Sequence, residues 1–257
     1  MDNFHSVFRN EYKYLISAGQ IAMLKARAGA VLFPDPHVPK SGNRAGMYNI
    51  RSVYFDDRQD SCYLENENGT DPREKFRIRI YNHSDRRIAL ELKRKQQGKC
   101  LKFSCPLTRE QCDILLAGQP LPDDPGYPPL LQKLLLQMKT RGLRPVVIVE
   151  YDRIPFVFPA GNVRVTLDVG ISSSSQCQDF FAEQLPLRPA LPMGQHILEV
   201  KWDELLPDFL YRSLMLDCLQ WSSFSKYYIC RKLQKEPYYL CTSKTSSSPA
   251  SWVNSLP

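Results

Sequence analysis

The feature that most constrains this chain is a period of two in which charge and apolarity alternate. Six segments place ionic or polar residues at i and i+2: Glu11/Lys13, Arg77/Arg79, Glu91/Lys93/Lys95, Tyr151/Arg153, Arg164/Thr166/Asp168 and Glu199/Lys201. The residues between them are mostly apolar: Tyr12 and Tyr14, Ile78 and Ile80, Leu90 and Leu92, Val163, Val165 and Leu167, Leu198 and Val200. Side chains two positions apart leave a β-strand on the same side, so each strand carries one apolar and one charged face. An ordinary sheet with one face in water shows the same alternation. Such a face mixes Thr, Ser, Gln and both signs of charge, whereas Arg and Lys dominate here. Helices offer another use for the apolar faces: they can coat the outside of a barrel and leave its lumen charged.

The same periodicity predicts strands at Phe8–Ile16, Tyr48–Asp56, Lys75–Asn82, Ile88–Lys95, Lys99–Cys105, Val146–Arg153, Val163–Ile171 and Ile197–Trp202. Turn residues separate most of them, as at Asn82-His83-Ser84-Asp85, Gln97-Gly98 and Pro159-Ala160-Gly161-Asn162. Helices are predicted over Ser17–Leu32, Thr108–Ala117, Leu130–Arg141, Leu206–Cys218 and Ser225–Leu233. Ser17 and Thr108 serve as caps, and Gly118 and Gly142 as stops. Leu121–Pro129 reads as a loop, and the Ser-rich residues 241–257 as a flexible tail. The expected architecture is α+β: residues 1–240 form one domain, a closed antiparallel β-barrel (tunnel) of about eight strands with helices packed outside.

Composition narrows the partners. With 43% hydrophobic and 24% charged residues, a wholly disordered or collagen-like chain is excluded. No run approaches the roughly 18 apolar residues of a spanning helix, and Met1-Asp2-Asn3-Phe4-His5 does not open a secretory signal, so a cytoplasmic location is expected. Eight scattered cysteines without C-x-x-C, and four histidines without H-x-x-x-H, read as reduced core thiols and not as a zinc site. A formal charge of +7 favours an anionic partner without choosing among nucleotide, nucleic acid and membrane surface.

Two like charges about 7 Å apart at an effective dielectric near 20 repel by roughly 2 kcal/mol. Gathering Lys13, Arg77, Arg79, Lys93, Arg153, Arg164 and Lys201 into one lumen is therefore costly unless a multiply charged anion, such as a phosphate chain, enters it. Arg offers planar forks for phosphate oxygens and Lys mobile point charges. The carboxylates Glu11, Glu91, Glu199 and Asp168 either relieve this repulsion or, one or two of them, hold a hard divalent cation bridging phosphates. No G-x-x-x-x-G-K-[ST] loop, strand-linked G-x-G-x-x-G or kinase signature is present, so side chains must grip the phosphates.

Several strings resemble a known family. Phe8-Arg9-Asn10-Glu11-Tyr12-Lys13-Tyr14, Arg51-Ser52-Val53-Tyr54-Phe55-Asp56, Phe76-Arg77-Ile78-Arg79-Ile80-Tyr81 and Leu90-Glu91-Leu92-Lys93-Arg94-Lys95 are similar to the VTC family. This is the polyphosphate polymerase domain of the vacuolar transporter chaperone complex, within the triphosphate tunnel metalloenzyme (CYTH-like) superfamily. Val149-Glu150-Tyr151-Asp152-Arg153, Leu198-Glu199-Val200-Lys201-Trp202 and Phe224-Ser225-Lys226-Tyr227 continue the match in the family's order. The resemblance implies a basic, metal-dependent β-tunnel that binds nucleoside triphosphate and passes its γ-phosphoryl group to a growing polyphosphate chain. It implies phosphate ligands at Lys13, Arg77, Arg79, Lys93, Lys102 and Arg153, with Tyr151 bonding nearby and Ser225 and Lys226 contributing from the last helix. Lys201 joins them from the charged-face pattern. Lys93, Arg153 and Lys226 are the expected catalytic groups, and Glu199 with Glu11 the expected ligands for Mn²⁺ or Mg²⁺.

One departure is informative. The hydrolase and cyclase branches of that superfamily begin E-x-E-x-K, whereas this chain reads Arg9-x-Glu11-x-Lys13, exchanging a carboxylate for a cation. That favours the polymerase branch over a triphosphatase. A polyphosphate-binding module without turnover is a second reading. A nucleic-acid binder is a third, set aside because the 13 Tyr and 12 Phe fall largely on apolar faces. Expected partners are nucleoside triphosphate and polyphosphate or pyrophosphate, with a membrane-associated partner open.

Overall fold

The computed structural model describes residues 8–39, 41 and 44–235; the tail expected at 241–257 lies outside them. Eight long strands carry the architecture: β1 (Asn10–Ser17), β3 (Tyr48–Asp56), β4 (Arg73–Tyr81), β5 (Ser84–Gln96), β6 (Lys99–Leu107), β7 (Arg144–Phe158), β8 (Val163–Ser174) and β10 (Gln195–Trp202). Two-residue strands β2 (Phe33–Pro34), β9 (Arg188–Pro189) and β11 (Gln220–Trp221) pair at their margins. The helices are α1 (Ala18–Val31), α2 (Ser61–Glu67), α3 (Arg109–Leu116), α4 (Pro129–Arg141), α5 (Asp208–Ser213) and α6 (Lys226–Lys235). Among the described residues no helix is long and apolar enough to cross a membrane.

The strands form one antiparallel path, β11-β1-β10-β8-β7-β3-β4-β5-β6. Its far ends curl together: Lys93 Nζ on β5 lies 2.9 Å from the Glu11 carboxylate on β1. The expected closed barrel is nevertheless corrected. No ladder joins β1 to β6; a single bridge does so, with Arg9 and Cys100 exchanging backbone hydrogen bonds of 3.0 and 3.1 Å. The fold is an antiparallel sheet-rich α+β fold whose sheet is curled but not laddered shut.

Three apolar clusters stabilise it, and they do not all lie outside. On the convex face of β3–β6, Val53, Phe55, Ile78, Ile80, Leu90 and Leu92 pack under α3 and α4 through Leu115, Leu131 and Leu134. On the convex face of β1, β10 and β8, Tyr14, Ile16, Val165, Leu167, Leu198 and Val200 pack under α1 and α5 through Leu24, Ala28, Leu210 and Leu214. The third cluster is concave. Tyr227, Cys230 and Leu233 of α6 pack on Ile50, Tyr54, Val147, Val149 and Tyr151, residues that share parity with Arg77, Arg79 and Arg153 rather than with the outer core. The expectation that all helices coat the outside therefore fails for α6, which plugs one end of the interior.

Local chemistry explains the helix ends. Ser17 and Thr108 cap α1 and α3 in reciprocal capping boxes with Gln20 and Gln111. Gly142 ends α4 at φ 67°, a left-handed conformation that glycine adopts without a Cβ clash. The helix expected across Leu206–Cys218 is broken: α5 stops at Ser213 and Met215 takes φ 50° before a short 3₁₀ turn.

Candidate functional site

The inner-facing residues of the curled sheet form one charged cluster. β1 contributes Glu11 and Lys13, and β10 contributes Lys201 and Glu199 directly opposite them. Asp168 of β8 faces Arg153 of β7 in register. Arg77 of β4 faces Glu91 of β5, and Lys93 of β5 faces Lys102 of β6. Lys226 enters from the first turn of α6. With Arg79 of β4, which reaches Glu91, eight basic side chains surround four carboxylates.

Each carboxylate organises several cations. Glu91, only 2% exposed, lies 2.7 Å from Arg77, 3.7 Å from Arg79 and 2.5 Å from Lys102. Burial alone would raise its carboxyl pKa, but these three cations outweigh it and hold the group far below the ordinary carboxylate range. Asp168 accepts two hydrogen bonds from Arg153, at 2.7 and 2.8 Å, and lies 2.6 Å from Lys226. Its pKa is lowered against burial by the same two groups. Lys226 also sits 4.8 Å above the Tyr151 ring, and its ammonium is raised despite burial, chiefly by Asp168.

The remaining two carboxylates stand side by side. Lys201 Nζ is 3.4 Å from Glu11 and 3.2 Å from Glu199, while Lys13 Nζ is 3.5 and 3.8 Å from them. Arg153 adds a 3.0 Å bond to Glu199. Burial opposes ionisation of Glu11, yet Lys13, Lys93 and Lys201 bring its pKa down to about 2. Glu199 is held well below its usual value against burial, Lys201 foremost among its neighbours. Burial dominates for Lys201, pulling its ammonium down to about 8 despite both glutamates. Two mutually repelling carboxylates, held together by ammonium groups, form an all-oxygen pair suited to a hard divalent cation that takes its other ligands from phosphate. Among the described residues no group of three or more metal-ligating side chains occurs.

Neutral groups finish the lining. Arg77 donates to Tyr54 Oη at 2.9 Å, and Arg79 to Ser52 Oγ at 3.1 Å and Tyr151 Oη at 3.5 Å. Lys13 Nζ donates to the Phe224 carbonyl at 2.9 Å, tying β1 to the segment that leads into α6.

This geometry spans β1 to α6, and a family model does the same: the VTC domain model matches residues 8–235. The chain belongs to the VTC-domain family. No curated protein sequence matches it. Among solved structures, a candidate adenylate cyclase from Bacillus halodurans shares 12% identity at a TM-score of 0.48, covering 82% of this chain and 88% of that one. A Hippeastrum protein described as having a dominant triphosphatase activity shares 11% at 0.48, covering 88% and 96%. The Mimivirus capping enzyme triphosphatase shares 11% at 0.39, covering 84% and 88%.

Within this VTC domain the residues singled out from sequence are distributed unevenly. Lys13, Arg77, Arg79, Lys93, Arg153, Lys201, Lys226, Glu11 and Glu199 converge as described. Lys102 reaches the cluster from the rim, its side chain 52% exposed. Ser225 turns to the start of α6, where its Oγ accepts from Tyr228 N at 3.4 Å. Arg164 does not join: it is 36% exposed and bonds Asp35 at 2.5 Å and Tyr48 Oη at 3.1 Å, because its position near the start of β8 brings it beside the loop after β2. The sequence reading did not single out the lining groups Ser52 and Tyr54 or the inner-facing cation Lys75. Lys75 shares parity with Arg77 and Arg79, a signal present in the sequence, and its Nζ bonds Asn66 at 2.6 Å and lies 4.9 Å over the Tyr227 ring.

Proposed function

We propose that this VTC domain is a metal-dependent polyphosphate polymerase, transferring the γ-phosphoryl group of a nucleoside triphosphate such as ATP to a growing polyphosphate chain. The observation that supports this best is the excess of cations facing one another across the curled sheet, eight against four carboxylates. Phosphoryl transfer asks chiefly for alignment and charge neutralisation. Arg77, Arg79 and Arg153 are pre-oriented by Glu91 and Asp168, so their unused N–H groups can meet phosphate oxygens without rearrangement. Lys13, Lys93 and Lys226 supply mobile charge beside them. Mn²⁺ or Mg²⁺ would be held by Glu11 and Glu199, and when bound would neutralise charge developing on bridging phosphate oxygens. The attacking terminal phosphate is already ionised and needs no general base.

With Mn²⁺ and ATP the purified protein is expected to yield polyphosphate visible on a gel together with ADP, and Lys93→Ala or Glu199→Ala to abolish both. Release of orthophosphate without chain growth would assign it instead to the triphosphatases. Polyphosphate binding with no nucleotide consumption under any divalent metal would leave a binding module.

A further inference from the structure

The inner row of β8 is Arg164, Thr166 and Asp168. Both charged members are engaged, Arg164 with Asp35 and Tyr48, Asp168 with Arg153 and Lys226. Thr166 between them is only 2% exposed, yet its hydroxyl has no hydrogen-bond partner among the described residues. Burying a hydroxyl unpaired is unfavourable. Other hydroxyls of the lining accept from arginine, Ser52 and Tyr151 from Arg79 and Tyr54 from Arg77. The register shows what lies beside Thr166 instead. On β7 its partner is Pro155, which brings no polar side chain, and on β10 it is Glu199. Glu199 is the carboxylate that shares Lys13 and Lys201 with Glu11. The orphaned oxygen is therefore a direct cross-strand neighbour of the carboxylate pair.

We propose that Thr166 is a ligand of the divalent cation, its hydroxyl oxygen joining the Glu199 and Glu11 carboxylates around Mn²⁺ or Mg²⁺. The inference rests on the metal reading above and adds a residue to it. Three considerations carry it. A hard cation takes about six oxygen ligands, more than two glutamates offer, and a hydroxyl supplies one without adding charge. A Ser or Thr hydroxyl serves Mg²⁺ in this way in phosphate-binding loops. Phosphate has little need of Thr166: with eight basic side chains around it, donors are plentiful and oxygen ligands are scarce. Finally, a hydroxyl that only braced the sheet would be bonded within the protein, whereas one that serves a ligand takes its partner from outside the chain. The β-branched side chain restricts χ1 and so limits how far the oxygen can turn to find another partner.

The test separates metal from phosphate on the full chain without nucleotide. Mn²⁺ alone is titrated by electron paramagnetic resonance, and tripolyphosphate by calorimetry with divalent metal chelated, against wild type, Thr166→Val, Thr166→Ser and Glu199→Gln. Valine keeps the branched shape and removes the oxygen. Thr166→Val is expected to weaken Mn²⁺ binding by about tenfold or more and to leave the metal-free tripolyphosphate affinity unchanged. Without metal it should melt no lower than wild type, because an unpaired buried hydroxyl has been removed. Thr166→Ser should restore the Mn²⁺ affinity. A valine variant with wild-type Mn²⁺ affinity would overturn the inference. So would a valine variant that melts lower without metal, which would mark a structural hydroxyl, or one that loses tripolyphosphate equally, which would mark a phosphate ligand. If wild type bound no Mn²⁺, the metal reading itself would fall and the inference with it. If Glu199→Gln abolished Mn²⁺ binding and Thr166→Val did not, the threonine alone would fall. A threonine-dependent Mn²⁺ site in a protein that makes no polyphosphate would sink the polymerase reading and leave this inference standing.

Discussion

Glu91 offers the sharpest trial of the idea that buried carboxylates hold this cluster together in the absence of an anion. Glu91→Gln keeps the shape and an acceptor oxygen for Arg77 but removes the charge. Arg77 at 2.7 Å and Arg79 at 3.7 Å are both buried or nearly so, and each then loses its nearest counter-charge. At an effective dielectric near 20 a pair at such distances is worth about 4 kcal/mol. Lys102, half exposed, adds less than about 1 kcal/mol. Leaving buried charge uncompensated costs about 3–5 kcal/mol in comparable sites, which corresponds to a fall in melting temperature of roughly 6–20 °C for a chain of this size. The same variant frees three cations for phosphate, so tripolyphosphate should rescue it. At a ligand concentration of 100 times Kd, about 2.7 kcal/mol returns, and the ligand-induced rise in melting temperature should exceed that of wild type. Differential scanning calorimetry with and without tripolyphosphate measures both quantities. A variant that melts within about 2 °C of wild type, or that gains no more from the ligand than wild type does, refutes the reasoning.

Acid should unfold the protein through the same groups. A carboxylate whose folded pKa lies below its unfolded value stabilises above about pH 4.5. That contribution drains away as the pH falls through the folded value, which for Glu11 is about 2. Glu91, Asp168 and Glu199 are shifted the same way, so circular dichroism should show stability constant near neutrality and falling steeply between about pH 4.5 and 2. Tyr227→Phe removes the hydrogen bond from α6 to the buried Asp56 carboxylate, which also accepts from the amides of Cys62 and Tyr63. A loss of about 1–3 kcal/mol is expected by urea denaturation, and a loss below about 0.5 kcal/mol would show that the bond does not anchor the helix. Gly161→Ala should destabilise more than an ordinary loop substitution. Its φ is 73° and an added Cβ would stand 2.2 Å from the Leu205 carbonyl, so the loss should reach about 1–3 kcal/mol, and a neutral melt would contradict the contact.

The strands were legible because period-two alternation is a local property. Tyr48–Asp56 was read with its observed ends, and the other seven were placed with ends differing by a few residues. Closure was not legible: alternation says which side a residue faces, not how far a sheet bends, and the seam here is one backbone bridge at Arg9 and Cys100. The placement of α6 was hidden for a related reason. Tyr227, Cys230 and Leu233 make the same apolar stripe whichever side of a sheet receives it. Helix α2 escaped notice because it is seven residues long and begins at Asp60 with φ 57° and no side-chain cap from that residue; the amides of its first turn bond to Asp56 and Asp57 instead. Most of the site followed from parity, since residues at i and i+2 share a face. Arg164 shows the limit, because a long side chain near a strand end takes its partner from a loop that the pattern does not see.

The concave position of α6 has a consequence for how the molecule is made. All eight long strands precede it in the chain, so the sheet can curl while the apolar patch of Ile50, Val147 and Val149 on its inside is still bare. Until the last described helix is synthesised, the nascent protein exposes grease and unneutralised charge within one hollow. The stretch from Lys226 to Lys235 therefore arrives as the cork of an already blown bottle.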